Sequence, residues 1–383
     1  MVLAVIAALA VAIWLYLAFA HGGFWLCSER EEGGPTQFPA WPSVAVVIPA
    51  RNEADCIPES IGSLLAQDYP GVWSVILVDD DSNDGTAAAA RAAAAVSGAG
   101  TRLEIVPGQP LPAGWTGKLW AVKQGNDAAQ TRPQPSDYLL LTDADIVYAP
   151  GVLRALVARA ETGHLALTSL MVKLRCESFA ERSLIPAFIF FFQMLYPFPL
   201  VNRTDRATAA AAGGCMLVRT EVLRLAGGID AIRGALIDDC TLAKLIKARG
   251  PIWLGLTDRV RSIRCYAHVR DIRQMVARSA YAQLRYSPLL LAGTVAGMAL
   301  TYLVPPLMAL FASGSARVMG LWAWCVMAVV FQPTLRLYRL SPLWGLALPV
   351  IALCYMLFTL DSALQFARGR GGLWKGRIQA SGS

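Results

Sequence analysis

The sequence predicts an α/β protein, a mostly parallel sheet flanked by helices, with transmembrane helices at its N- and C-termini. Three observations carry this. Short apolar, β-rich runs alternate with helical patterns from residue 44 to a helix opened by Pro150. Residues 2–20 are uncharged and match the roughly 20 residues that a helix needs to cross a bilayer. A second apolar region, 288–367, is broken only by Arg317, Arg336, Arg339 and Asp361. The composition agrees: 383 residues, 55% hydrophobic and 16% charged, with a mean hydropathy of +0.46, do not describe an ordinary soluble enzyme.

Residues 1–22 are expected to form an uncleaved anchor. Ala18-Phe19-Ala20 resembles a cleavage site, but no Lys or Arg precedes the apolar run, and the run exceeds a usual signal core. The polar stretch SEREEGGPTQFPAWP makes 23–42 a linker. Residues 43–287 then hold most of the charged groups and suffice for one large domain.

Within that domain the strand candidates are VAVVIPA (44–50), SVILVDD (74–80), LEIVP (103–107) and YLLLTDAD (138–145). Helices are expected from Pro58, over alanine-rich 86–96, around 117–129 and from Pro150. Continuous apolar strands separated by helices indicate a parallel sheet covered on both faces. Ligands of such sheets bind beyond the carboxyl ends of the strands. Polar clusters stand there: Arg51-Asn52-Glu53, Asp79-Asp80-Asp81, and Asp143-Ala144-Asp145.

Each cluster has a chemical and a bland reading. On an extended chain Asp143 and Asp145 share one side, and two hard oxygen donors suit Mg²⁺ or Mn²⁺; either could equally cap a helix or close a turn. Asp80 can accept hydrogen bonds from a base or ribose, or serve a helix cap. Arg51 and Glu53 can line the same nucleotide or pair with each other. Lys118 is a diphosphate contact or a solvated helix lysine. Adjacent Asp238 and Asp239 repel one another if buried, which raises one pKa and suits a general base; as first-turn acids they also suit the helix dipole.

The eight cysteines show no CxxC pair, which argues against zinc and against a disulfide framework. The net charge of +7 has no long basic run behind it. It reads as membrane-face and phosphate chemistry, not nucleic-acid binding.

Taken in order, PARNE, VDDDSNDGT, GK, DAD, GG and DD over residues 43–290 resemble the inverting glycosyltransferases of family two, which have the Rossmann-like GT-A fold. The membrane-bound, lipid-glycosylating branch, including ceramide glucosyltransferase-like enzymes, is the most similar. ARSAYAQLRYSP, GWTGKLWA and the flanking apolar segments look most like the hopanoid-biosynthesis-associated glycosyltransferases.

The resemblance implies a UDP-sugar donor, a lipid hydroxyl acceptor such as a hopanoid, and Mg²⁺ or Mn²⁺. It places Arg51, Glu53, Asp80, Lys118 and Asp143 at the nucleotide, and Asp145 with Asp143 at the metal. Asp239 becomes the base, with Asp238 beside it, and Gly213, Gly214, Gly227 and Gly228 shape the sugar and acceptor loops. Relatives carry (Q/R)xxRW at the membrane edge of the site; here Ala282-Gln283-Leu284-Arg285-Tyr286 stands there. Gln283, Arg285 and Tyr286 are thus the expected acceptor and diphosphate edge, and the changed pattern favours single transfer over polymer synthesis. A polyprenyl-phosphate acceptor, or a non-catalytic scaffold that binds nucleotide-sugars or lipids, are the alternatives.

The apolar stretch 184–201 carries three prolines and is expected to lie in the membrane interface rather than span it. The catalytic domain is expected on the cytoplasmic side of a bacterial-type inner membrane, in a multi-pass chain. Residues 368–383, a basic tail, should share that side, which requires one C-terminal segment to be re-entrant or interfacial, with a break expected at Pro305-Pro306.

Overall fold

A computed structural model gives the fold and describes residues 1–31, 38, 40–374 and 377–380. The strands are β1 (Val44–Ala50), β2 (Trp73–Asp79), β3 (Leu103–Pro107), β4 (Tyr138–Leu141), β5 (Ile146–Tyr148), β6 (Leu167–Lys173), β7 (Met216–Arg219) and β8 (Ile252–Ser262). They form one sheet in the order β3-β2-β1-β4-β7-β6-β8-β5. The half of the sheet read from sequence, β3-β2-β1-β4, is parallel. The far side adds strands that run antiparallel at β4–β7, β6–β7 and β5–β8.

Helices α1 (Val2–Phe19), α2 (Ile57–Leu65), α3 (Thr86–Val96), α4 (Gly117–Gln130) and α5 (Val152–Thr162) fall where the sequence places them. Strand β1 shows why its residues are apolar throughout. Val44, Val46 and Ile48 enter a core with residues of α2, α3 and α5, while Ala45 and Val47 enter a second core that includes residues of α4. Gly125 lets α4 lie close on the sheet, since a Cβ there would stand 2.4 Å from Val47 Cγ1.

One expectation needs correction. β4 ends at Leu141, so Asp143-Ala144-Asp145 is a turn, not strand, and period-two alternation does not orient the two acids. The Thr142 hydroxyl donates to the Gly214 carbonyl at 2.8 Å, and Ile263 N–H donates to the Asp145 carbonyl at 3.0 Å. These bonds lift the chain away from β1 and lead it into β5, which pairs with β8.

The second core continues from the sheet into the apolar helices, through Trp14, Phe190, Tyr302, Phe331 and Tyr355. Among the described residues, five helices are long and apolar enough to cross a membrane: Val2–Phe19, Phe179–Val201, Pro288–Phe311, Gly314–Leu337 and Pro342–Ala367. The second of these contains helix α6 (Phe179–Leu195), which starts earlier than the expected 184 and is the most enclosed of the five, 56% buried. Its first turn is closed by a capping box between Ser178 and Glu181.

Pro305-Pro306 does not break its helix. The chain passes through a π turn, Ala299–Leu303, and remains helical to Phe311. The carbonyl of Thr301 would take its donor from residue 305 in α register or 306 in π register, and both are prolines without an N–H. Trp14 on α1 supplies the missing donor, its indole N–H lying 2.8 Å from that carbonyl.

Part of the expected linker, 32–37 and 39, lies outside the described residues. Residues 29–31 lie along β8, with Glu31 N–H donating to the Leu256 carbonyl at 2.9 Å. In the tail, Gly371–Trp374 and Arg377–Ala380 form a two-stranded antiparallel pair; 375–376 and 381–383 are outside the described residues.

Candidate active site

The loops after β1 and β2 are stapled together. Asn52 N–H donates to Ser82 Oγ at 3.0 Å, Glu53 N–H to Thr86 Oγ1 at 2.9 Å, and Ala54 N–H to Asp84 Oδ2 at 3.0 Å. Asp84 also accepts from the Thr86 N–H, closing the turn into α3. Despite some burial, hydrogen bonds from Thr86 and Ala54 hold the Asp84 carboxyl below its ordinary value. Arg51 and Asp80, expected at the nucleotide, meet each other: Arg51 Nη1 is 3.6 Å from Asp80 Oδ2, and Asp80 is buried.

Glu53 is buried too, and both its oxygens lie 2.8 Å from Nη2 of Arg264. Nε of the same guanidinium stands 3.4 Å from Asp145 Oδ2, which also accepts the Ser262 hydroxyl at 2.5 Å. Arg264 was not among the residues singled out from sequence. It lies 119 positions beyond Asp145 in the chain, and only the pairing of Ile146 with Ser262 across β5 and β8 brings it there. Its one signal was its place just past a strand end. Burial opposes its charge, but Asp145 and Glu53 outweigh that and hold the guanidinium above its ordinary value.

On the other side of the turn, Lys118 Nζ lies 2.9 Å from Asp143 Oδ1 and 3.1 Å from Asp238 Oδ2. Thr116 caps α4 by accepting from Leu119 N–H, which fixes Lys118 in the first turn. Burial disfavours its charge, yet Asp143 and Asp238 hold the ammonium above its usual value. Burial likewise lifts the Asp143 carboxyl, with Lys118 pulling the other way. Asp143, Lys118, Gly213 and Asp238 line one cleft beneath Pro49 and Thr142.

Asp238 and Asp239 open the helix Asp238–Lys247. Asp239 Oδ2 accepts Gly213 N–H at 3.1 Å and Oδ1 accepts Cys240 N–H at 2.7 Å. Burial, and next the charge of Asp238, push the Asp239 carboxyl up to about 6, with Lys118 acting against them. The two acids therefore divide: Asp238 is an ion-pair partner, and Asp239 is a carboxylate poised to hold a proton near neutral pH.

Of the expected glycines, Gly213 adjoins Asp239 and Lys118, and Gly214 is closed in by Val172 and Ile146. Gly227 and Gly228 instead follow the helix Thr220–Leu225 with φ of 98° and 69°, a backbone that favours glycine. The membrane-edge residues separate. Gln283 Nε2 donates to the Tyr196 hydroxyl at 2.6 Å, and Tyr196 lies within electrostatic reach of Cys240 and Asp239. Arg285 is exposed in a left-handed turn, and Tyr286 stacks on Phe366 with ring centroids 4.3 Å apart.

Asp143 and Asp145 fit a hard divalent ion such as Mg²⁺ or Mn²⁺. They are two neighbouring carboxylates, already drawing compensating cations, and the donors on Asp145 both fall on Oδ2. A second group, Glu53, Asp55 and Cys56, brings ligand atoms within 4.8 Å of one another. It fits poorly, because Arg264 takes both Glu53 oxygens and burial pushes the Cys56 thiol up to about 12.

Residues 45–225 match the family model described as Glycosyl transferase family 2. None of the curated proteins matches the chain. Among solved structures, the mannosyltransferase PcManGT from Pyrobaculum calidifontis, in complex with GDP-Man and Mn²⁺, is similar with a TM-score of 0.56 at 18% identity, over 94% of this chain and 99% of that one. That likeness is one of fold, and its extent carries it past the catalytic sheet into the apolar helices. Also similar are mannosyl-3-phosphoglycerate synthase from Rubrobacter xylanophilus (21% identity, 70% and 84% of the chains, TM-score 0.42) and Mycobacterium tuberculosis glucosyl-3-phosphoglycerate synthase with Mn²⁺ and UDP-Glc (20%, 62% and 77%, 0.37).

Proposed function

We propose that this glycosyltransferase, whose residues 45–225 are a family 2 domain, transfers a single sugar from a UDP-sugar to the hydroxyl of a membrane lipid, with inversion at the anomeric carbon. The observation that carries the reading is Asp239, a carboxyl pushed up to about 6 beside the Lys118–Asp143–Asp238 cleft. In this reading the acceptor O–H gives its proton to Asp239. The freed oxygen bonds to the anomeric carbon as the bond from that carbon to the diphosphate breaks, and UDP leaves. Glu53 and Asp80 hold the nucleotide, Arg51 orients Asp80, and Lys118 supplies positive charge to the diphosphate. Mg²⁺ or Mn²⁺ held by Asp145 and Asp143 would stabilise the charge on the leaving diphosphate.

A lipid acceptor is supported by the route from the membrane helices to the base. Helix α6 is followed at its C-cap by Tyr196, whose hydroxyl accepts from Gln283 and lies within electrostatic reach of Asp239. A lipid headgroup arriving along this helix reaches Asp239 without leaving the apolar surface. A hopanoid hydroxyl is the acceptor class the sequence resemblance favours, and in this reading the catalytic domain faces the cytoplasm, where nucleotide-sugars are found.

The test is a product screen on the full-length protein in detergent: UDP-sugars and GDP-mannose, Mn²⁺ or Mg²⁺, a bacterial lipid extract, and mass spectrometry. The expected result is a hexose-sized gain on one hydroxyl lipid, lost in Asp239→Asn. Full activity of Asp239→Asn on a polyprenyl phosphate would replace the hydroxyl acceptor with one that is already ionised and needs no base. No transfer with any donor, together with intact nucleotide binding, would favour a non-catalytic scaffold.

A further inference from the structure

Arg264 connects the two halves of the site. Its segment is fastened to the Asp143–Asp145 turn by the Ile263 N–H to Asp145 carbonyl bond and by Ser262, whose hydroxyl bonds Asp145 Oδ2. Nε of Arg264 stands at that same oxygen, while Nη2 reaches both oxygens of Glu53. Glu53 in turn is fixed by its N–H to Thr86, where the loops after β1 and β2 meet. One planar cation therefore joins a carboxylate of the metal turn to a carboxylate of the nucleotide loops. Asp145 and Glu53 are each less than a tenth exposed, so neither is a solvent-screened surface partner.

We propose that Arg264 is a positioning residue that couples metal binding to nucleotide binding. This rests on the transferase reading above. A guanidinium is a rigid fork that holds two carboxylates in fixed relative placement, which a lysine ammonium on a flexible stem does not do. With Asp145 engaged by a divalent ion, Arg264 would be left to Glu53 and would fix that side chain for the nucleotide. Coupling of this kind is reciprocal: the metal tightens nucleotide binding by the same factor by which the nucleotide tightens metal binding.

The probes are UDP and MnCl₂, with GDP in parallel, titrated calorimetrically into full-length protein in detergent. The measured quantity is the ratio of UDP dissociation constants without and with Mn²⁺. A ratio of about tenfold or more is expected for the natural protein, within the usual range of such couplings, falling towards one in Arg264→Lys. Glu53→Gln, which keeps the cation and alters the far end of the fork, should collapse the ratio in the same way, so the test survives if Arg264→Lys does not fold. A purely structural arginine would lower the unliganded melting temperature and leave the ratio alone. An unchanged ratio in a folded variant overturns the proposal, as does a ratio of one in the natural protein. Both results leave the transferase reading to its own product assay, which is run on the complete reaction.

Discussion

Lys118 Nζ sits 2.9 Å from Asp143 Oδ1, so the first turn of α4 is tied to the turn that follows β4. The same ammonium reaches Asp238, and its charge lowers the proton affinity of neighbouring Asp239. Lys118→Met removes that charge and leaves burial and Asp238 to raise the Asp239 pKa further. A base must be deprotonated to act, so with Asp239 as the proposed base kcat/KM should rise with pH through a limb near 6 in the natural protein. The variant should move that limb to higher pH and lose about a hundredfold or more at neutral pH. A pH profile of both proteins checks the direction; an unmoved limb would show that Lys118 does not govern Asp239.

Asp239→Asn should abolish transfer and yet stabilise the fold above neutral pH. The Asp239 pKa rises from an ordinary 3.8 to about 6 on folding. The folded state thus holds the proton more tightly than the unfolded chain, and stability falls as pH rises from 3.8 through about 6. Asparagine carries no charge and escapes that loss. Melting temperatures should therefore diverge at pH 7.5, with the variant higher, and converge near pH 4.

Trp14→Phe should destabilise the protein by about 1–3 kcal/mol, since it strands the buried Thr301 carbonyl without a donor. Adding Pro305→Ala restores an N–H in the i+4 position and should recover part of the loss. Thermal unfolding of the single and double variants in detergent checks this; a neutral Trp14→Phe would mean that packing, not the hydrogen bond, joins α1 to the π turn.

Gly125→Ala places a Cβ against Val47 Cγ1 and should lower stability by about 1–3 kcal/mol, the usual range for overpacking. Because α4 carries Lys118, its displacement should lower kcat as well. Denaturant unfolding and steady-state kinetics on the same preparation separate the two effects.

Much of the fold was legible. The apolar runs 44–50 and 103–107 are β1 and β3, and the alanine-rich stretch 86–96 is α3 to the residue. Local signals suffice there, because periodicity and Pro58 in a first turn act over a few residues. The clusters at the strand ends were legible for a related reason. Acids after buried strands are costly unless used or paired, so Asp80, Asp143 and Asp145 stood out.

The partners of those acids were not legible. Arg51 meeting Asp80, Arg264 spanning Glu53 and Asp145, and Lys118 spanning Asp143 and Asp238 all depend on loops that approach one another only in the folded sheet. The end of β4 coincides with the end of the apolar run at Leu141, and the bonds of Thr142 to Gly214 and Ile263 to Asp145 turn the chain away beyond it, so extending the strand to 145 overran that signal.

The sequence by itself determined the periodic elements, the apolar helices and the kinds of chemistry available, because each is a property of neighbouring residues. Only the tertiary structure decided which of two adjacent aspartates is paired with Lys118 and which is left to hold a proton, and which arginine joins the two halves of the site. Those outcomes depend on distances of about 3 Å between groups far apart in the chain, where burial removes water and lets a single neighbouring charge set the protonation state.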